Sequence, residues 1–469
     1  MTGNRFTEIM VEVEPGESIT YNRAKLISAF RAYGITDPRC VVVEIDPSGV
    51  AMVTVYERPP LDDMPAARGE DLVMDAKGFV TVGRYHNGRP MRVRLYKPGS
   101  GATRVAFFGA SGSGKSRALQ LVMAAEKRSG IATWLSDLKG GQSVPEARGN
   151  VDWFNTTQEG AIHQLRSAAG VMEYRKGVLG HQSHFIHSAR HPLLSVRIEE
   201  ANLLLKQGAP YRDEASYLIT TLGNAGRSLG VGVSISGQAG RVADLGGGAA
   251  LRDSLTEGAV FMLRWPASGA GMVSLIVGAL LDAAEQLTPI SGEKPKLRSQ
   301  LTPAIGGEVD PDTAGMTYLI SAESEEKVTT LGRFLRVGST EVLEGLDPEI
   351  LDLYGPGDPV TVEQGAAEGA GQAYAERWDG VPLKKGEETP GSEGHADDDA
   401  PRVISKTPVR KRVQEALSVE PMDADALLAA VNDDGGREVT STSLRTTIRQ
   451  LVTNRHVMQD EDGAYVLID

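Results

Sequence analysis

Through the middle of the chain, short unbroken apolar runs alternate with longer stretches in which apolar residues recur every three or four positions. The runs fall at 104–108, 131–136, 150–154, 193–198, 231–236 and 258–263, and the helical stretches at 115–127, 157–174 and 211–229. Strands apolar at successive positions are buried on both faces, and their alternation with helices predicts a parallel sheet covered on both sides. Runs at 317–320 and 331–337 are expected to close one edge of that sheet. Upstream the pattern changes. Residues 20–33 put Leu26, Ile27, Phe30 and Tyr33 on one helical face, with Gly34 as the stop. Residues 40–45 and 50–56 are expected strands around the turn Asp46-Pro47-Ser48-Gly49, and 79–85 and 91–96 flank Asn87-Gly88, a strong hairpin signal. The expectation is a small α+β domain at 1–97, serving as a packing shoulder or a protein contact, and an α/β core at 98–345.

Beyond the core, residues 346–405 are rich in Gly, Ala and acidic residues, including Asp397-Asp398-Asp399. Such a composition buries too little apolar surface to fold and reads as a flexible acidic linker, with a short helix near its start. Residues 406–469 regain periodicity. Val409, Val413, Ala416 and Leu417 share a face, Asp423 is placed to cap a second helix, and Leu444, Ile448 and Leu451 face inward on a third. Two short strands around Asp460-Glu461-Asp462-Gly463 complete a winged helix-turn-helix pattern. On the third helix, Arg445, Thr446 and Arg449 lie on the outer face, where they can reach phosphates and base edges in a major groove. The same row also fits a solvated face or a protein contact, and the acidic wing tip leans that way.

Composition narrows the setting. The net charge of −13 argues against diffuse coating of nucleic acid, although local patches decide binding. Cys40 is the single cysteine, which excludes a disulfide framework or a cysteine zinc site within one chain and suits a reducing cytoplasm. No apolar leader follows a basic head at the start, and the longest apolar run, near 272–281, is too short to span a bilayer. Any membrane role is therefore expected to run through a partner.

The chemistry is concentrated in Gly109-Ala110-Ser111-Gly112-Ser113-Gly114-Lys115-Ser116, which fits G-x-x-x-x-G-K-[ST] at every fixed position, with Arg117 next in the chain. It lies between an expected strand and an expected helix, the context in which glycines let backbone N–H groups close around phosphate oxygens. Lys115 is expected to bridge the β- and γ-phosphates of ATP, and Ser116 to offer an oxygen to Mg2+. The run at 193–198 leads into Glu199-Glu200. In an ATPase one acid holds the metal and the next polarises the attacking water, which assigns Glu199 to Mg2+ and Glu200 to the water. A solvated acidic helix start would look the same. Gln238, at the tip of the run at 231–236, is either a γ-phosphate sensor or a surface turn residue.

Five segments in order carry a family resemblance: Val82-Gly83-Arg84 through Asn87-Gly88-Arg89-Pro90, the phosphate loop, Asp137-Leu138-Lys139-Gly140-Gly141, Glu199-Glu200-Ala201, and Gly226-Arg227-Ser228-Leu229-Gly230-Val231 through Gln238. Over residues 80–340 the chain resembles the FtsK/SpoIIIE family of DNA translocases, and within it the actinobacterial plasmid-transfer branch. The resemblance implies a RecA-like P-loop NTPase core and a hexameric ring of identical chains that threads double-stranded DNA at the expense of ATP. It further implies a sequence-reading terminal winged helix and association with membrane-associated transfer proteins, and it favours Gln238 as a sensor. The chain departs from the pattern in three ways. Glu199 stands for the usual Asp. Gly258 stands where the family's trans-acting arginine is expected, leaving Arg252 or Arg264 as substitutes. No membrane segments precede the motor. A nucleotide-switched DNA-binding regulator and a single-strand coupling ATPase are the competing functions.

Overall fold

A computed structural model of the chain describes residues 4–12, 29–30, 33–35, 37–45, 50–180, 184–238, 258–264, 287, 290, 312–321, 324, 329–341 and 343–377, and, further on, 413, 416–417, 423–433, 444, 448, 457–459 and 465–467. Two compact units divide at residue 381.

The first unit opens with a small antiparallel sheet of β1 (Phe6–Val11), β2 (Val41–Ile45) and β3 (Ala51–Tyr56), in the order β1-β3-β2. The strands expected around the 46–49 turn are there, while most of the helix expected at 20–33 lies outside the described residues. The hairpin of β4 (Phe79–Tyr85) and β5 (Pro90–Arg94) follows, then the two-residue strands β6 (Tyr96–Lys97) and β7 (Gly101–Ala102). The core then runs β8 (Val105–Phe108), α1 (Lys115–Arg128), β9 (Ala132–Asp137), β10 (Trp153–Asn155), α2 (Gln158–Leu179), β11 (Leu194–Glu199), α3 (Asn202–Leu205), α4 (Arg212–Ala225), β12 (Val231–Gly237), β13 (Ala259–Leu263), β14 (Met316–Ile320) and β15 (Leu331–Phe334). Helices α5 (Pro348–Tyr354), α6 (Gln364–Ala370) and α7 (Gln372–Ala375) complete the unit.

Ten strands form one sheet in the order β10-β9-β11-β12-β8-β13-β14-β15-β4-β5. Pairing is parallel from β10 to β13, as the apolar runs predict, and antiparallel from β13 to β5, which they do not predict. Successive side chains of a strand serve opposite faces. Ala106 and Phe108 therefore join the core that α2 covers, and Val105 and Phe107 the one that α1 covers.

Two expectations change. The 79–85 hairpin, grouped at the sequence level with the N-terminal region, is the far edge of the large sheet, where β4 pairs with β15. Gly83 permits this approach, because a Cβ there would overlap the carbonyl oxygen of Arg333. The Gly- and Ala-rich stretch read as the start of a tether is helical and packed. Ile350, Leu353, Tyr354, Ala366, Ala370 and Tyr374 are buried. Gly and Ala serve here as a close-contact face: Cβ atoms at Gly170 of α2 and Gly369 of α6 would each meet the other helix's backbone or a side chain. Buried Asp152 then fastens α7 and the residues after it, accepting from Trp134 Nε1 (2.8 Å), Tyr374 Oη (2.6 Å) and Arg377 Nε (3.0 Å). Residues 378–405 of the expected linker lie outside the described residues.

In the second unit, Asp423 accepts from Ala426 N (2.8 Å) at the start of α8 (Ala424–Asp433), as a capping residue should. Strands β16 (Val457–Gln459) and β17 (Tyr465–Leu467) pair antiparallel at the place expected for a wing. Val413, Leu417, Leu427, Val431, Leu444 and Ile448 form its buried cluster. Arg445, Thr446 and Arg449 lie outside the described residues. Among the described residues, no helix is long and apolar enough to cross a membrane.

The α2–α6 contact predicts a contrast within one helix. Gly170→Ala should destabilise the protein by roughly 1–3 kcal/mol through overpacking. Gly177→Ala, where a Cβ meets nothing within 4 Å, should be neutral or stabilise by up to about 1 kcal/mol. Thermal melting of the two variants beside the wild type measures the difference.

Candidate nucleotide site

The parallel strands present their carboxyl ends along one edge of the sheet, where α/β proteins bind ligands. The phosphate loop follows β8, the 137–141 turn ends β9, Glu199 and Glu200 end β11, Gln238 follows β12 and Arg264 follows β13. β12 lies between β8 and β11, so the acids approach the phosphate loop across one intervening strand, and Gln238 is at that strand's tip.

Gly112 (φ 71°) and Gly114 (φ 92°) take left-handed conformations, and Gly114 caps α1 at its N-terminus. A Cβ at Gly114 would come 2.6 Å from Gly315 N, which instead donates to Ser113 O at 2.8 Å. Neighbouring strand ends hold the loop: Gly109 N donates to Gly237 O (3.2 Å) and Ala110 N to Arg264 O (2.8 Å). Lys115 is buried on the first turn of α1, with Ser116 half-buried beside it.

The structure brings Lys115, Glu199, Glu200 and Gln238 together. Lys115 Nζ lies 3.2 Å from Glu200 Oε1 and 3.6 Å from Glu199 Oε1. Gln238 Nε2 donates to Glu200 Oε1 at 3.3 Å. Lys139, to which the sequence reading gave no role, reaches the same oxygen at 2.6 Å. Its visible signals were the polar turn at the end of β9 and that segment's place among the five carrying the family resemblance. The turn is anchored by Asp137, which accepts from the backbone N–H groups of Lys139 (3.1 Å), Ser143 (2.8 Å) and Val144 (3.3 Å).

The two acids differ electrostatically. Burial pushes the Glu199 carboxyl up to about 7; Lys115 opposes that rise, and the charges of Glu200 and Asp137 add to it. Burial acts in the same direction on Glu200, but the Lys139 hydrogen bond, the Lys115 charge and the Gln238 hydrogen bond outweigh it and hold its pKa below the usual value. Among the described residues Glu200 is the only non-glycine with positive φ (54°).

These residues fit Mg2+ with ATP. Both Glu199 carboxylate oxygens are buried without a hydrogen-bond donor, as orphan oxygens awaiting a ligand would be. Among the described residues, no three His, Cys, Asp or Glu side chains cluster as a metal cage. Glu199 and Ser116 would hold the metal, the loop backbone and Lys115 the phosphates, and Glu200 a water.

Two predicted residues have other partners in this structure. Arg117 is exposed and pairs with Asp347 Oδ2 at 2.8 Å, tying α1 to the cap of α5 rather than lining the loop. Arg264 lies on its own chain's phosphate loop, donating to Ser111 O (3.2 Å) and Thr313 Oγ1 (3.4 Å). Arg252 lies outside the described residues. Gly258 begins β13 at the end away from the loop, where a Cβ would overlap Arg104 O.

No family model and no curated protein matches the sequence. Solved structures do. The cytoplasmic domain of the Thermomonospora curvata type VII secretion ATPase EccC is 20% identical, over 64% of this chain and 33% of its own, with a TM-score of 0.43. The pCW3 conjugation coupling protein TcpA is 16% identical over 71% of this chain and 86% of its own (TM-score 0.46). EssC of Geobacillus thermodenitrificans, ATPases 2 and 3, is 13% identical over 63% and 50% (TM-score 0.43). The likeness is one of fold. The chain spans a third of the EccC length, and TM-scores below 0.5 decide nothing about activity, which has to be read from the site.

The strand that presents the acids is braced against the phosphate-loop helix. Arg197 of β11, which interrupts an apolar run, donates to both oxygens of Glu126 on α1, at 2.9 and 2.6 Å, with both side chains buried. Removing one partner strands a buried charge, so Arg197→Ala should cost about 3–5 kcal/mol. The double replacement Arg197→Met with Glu126→Leu should lose far less. Urea denaturation of both variants tests this.

Proposed function

We propose that this chain is an ATPase that moves double-stranded DNA, acting as a ring of identical subunits in the transfer of a conjugative plasmid or integrative element. The observation that carries the ATPase part is the meeting of Lys115, Glu199, Glu200 and Gln238 at the carboxyl edge of the sheet, with one ammonium within 3.6 Å of two carboxylates. Lys115 neutralises phosphate charge, Glu199 and Ser116 hold Mg2+, and Glu200 takes a proton from the attacking water while Gln238 orients the reacting group.

The DNA part is supported by the five ordered segments of the sequence resemblance and by the capped helix and β-hairpin of the second unit. In this reading Arg445, Thr446 and Arg449 choose where the ring loads, and membrane-associated transfer proteins position it. Arg252 or Arg264 would serve the neighbouring subunit's nucleotide. Arg264 would first have to leave its own loop.

Lys115→Ala should abolish ATP binding, and Glu200→Gln should keep binding while lowering turnover by about 10²–10⁴-fold. Wild-type hydrolysis should rise with duplex DNA more than with single strands, and native mass measurement should show an oligomer with nucleotide and DNA present. Turnover indifferent to nucleic acid would favour a nucleotide-switched regulator. A preference for single strands would favour a coupling ATPase of the single-strand kind.

A further inference from the structure

We propose that Lys139 is a positioning residue that restrains Glu200 and keeps idle hydrolysis low. The inference rests on the ATPase reading above and concerns how that same site is held back.

A carboxylate can activate water only if one of its oxygens can accept the water's proton. In this structure Glu200 Oε1 faces three donors at once: Lys139 Nζ at 2.6 Å, Lys115 Nζ at 3.2 Å and Gln238 Nε2 at 3.3 Å. An oxygen with two lone-pair sites is saturated by such a set, so Oε1 accepts no further proton and the direction in which Oε2 points is fixed with it. The Lys139 contact is the shortest and is charge-assisted, the stronger class of hydrogen bond. It also differs from the other two in its independence from phosphate. Lys115 and Gln238 stand at the phosphate loop and at the tip of the adjoining strand, where a γ-phosphate would draw on both. Lys139 comes from the end of β9, on the other side of β11, and would still hold the acid after Lys115 had turned to phosphate.

The latch is built to open. Glu200 is 1% exposed but the Lys139 side chain is 41% exposed, so an anionic group can reach the ammonium from outside. Its turn continues through Gly140 (φ 74°) and Gly141 (φ 84°), and a Cβ at Gly140 would meet nothing within 4 Å. Asp137 pins the backbone on either side of the glycines. Release therefore needs only motion of the lysine head and the glycine pair, with no core contact broken.

Steady-state ATPase assays without nucleic acid test this, with ATP affinity measured separately by a fluorescent ATP analogue. Lys139→Ala should raise kcat about three- to fivefold, the size expected for losing one partly exposed ion pair. KM and nucleotide affinity should stay within about twofold, because the pair acts on the chemical step. Lys139→Arg should return kcat to the restrained value, and Lys139→Gln, which keeps a donor without the charge, should fall between. Melting temperatures guard against misfolding, and Lys139→Gln carries the test should Lys139→Ala melt early. A kcat unchanged or lowered in Lys139→Ala and Lys139→Gln, while the wild type hydrolyses ATP, overturns the restraint alone. A wild type that hydrolyses no ATP, or does so as fast as Lys115→Ala, overturns both the restraint and the ATPase reading.

Discussion

The site depends on two buried carboxylates matched at short range by lysine ammoniums. Charges removed from water are tolerated only when matched at short range, and each unpaired one is expensive. Lys115 lies 3.2 and 3.6 Å from the two acids and Lys139 lies 2.6 Å from Glu200, while burial raises the Glu199 carboxyl to about 7. The arrangement is a balance rather than a clamp. In the function proposed above, what Lys115 gives to a phosphate it withdraws from the acids, while Lys139 still faces Glu200.

The fold makes that linkage stiff. The phosphate loop and the acids follow different strands, and β12 separates them. Two devices keep the distance constant. The Arg197–Glu126 pair joins the acid-bearing strand to α1, and Thr133 Oγ1 of β9 donates to the same Glu126 at 3.0 Å. Neighbouring strand ends hold the loop itself through Gly237 O and Arg264 O. The intervening strand also explains why Gln238 belongs to the site. The tip of β12 is the natural place from which to touch both the loop and the acids, and the 3.3 Å contact to Glu200 follows from the strand order.

Much of this was legible in the sequence because the chemistry sits in local patterns. Eight consecutive residues spell the phosphate loop, two adjacent acids end an apolar run, and periodicity reveals the layers. What escaped notice depended on long-range register. Lys139 meets Glu200 because β9 and β11 pair with Asp137 opposite Glu199, which no window along the chain displays. The hairpin at 79–94 joins the large sheet through a partner more than two hundred residues away. Residues 364–375 misled for a different reason. Small residues give the same composition to a loose tether and to a helix pressed against another, and only the face of α2 distinguishes them. Arg117 was grouped with the loop by adjacency, although helical geometry carries it to Asp347.

The positive φ of Glu200 follows from the same requirement. Along a strand, consecutive side chains point to opposite faces, so Glu199 and Glu200 in extended conformation could not both meet Lys115. Turning Glu200 into the left-handed region breaks the alternation at the last possible residue, and both carboxylates come within 3.6 Å of one ammonium. Glycine would adopt that conformation without strain but would bring no carboxylate. The chain therefore accepts a strained residue of roughly 1–2 kcal/mol at this point. The carboxylate that this strained backbone presents is the one that meets both Lys115 and Lys139.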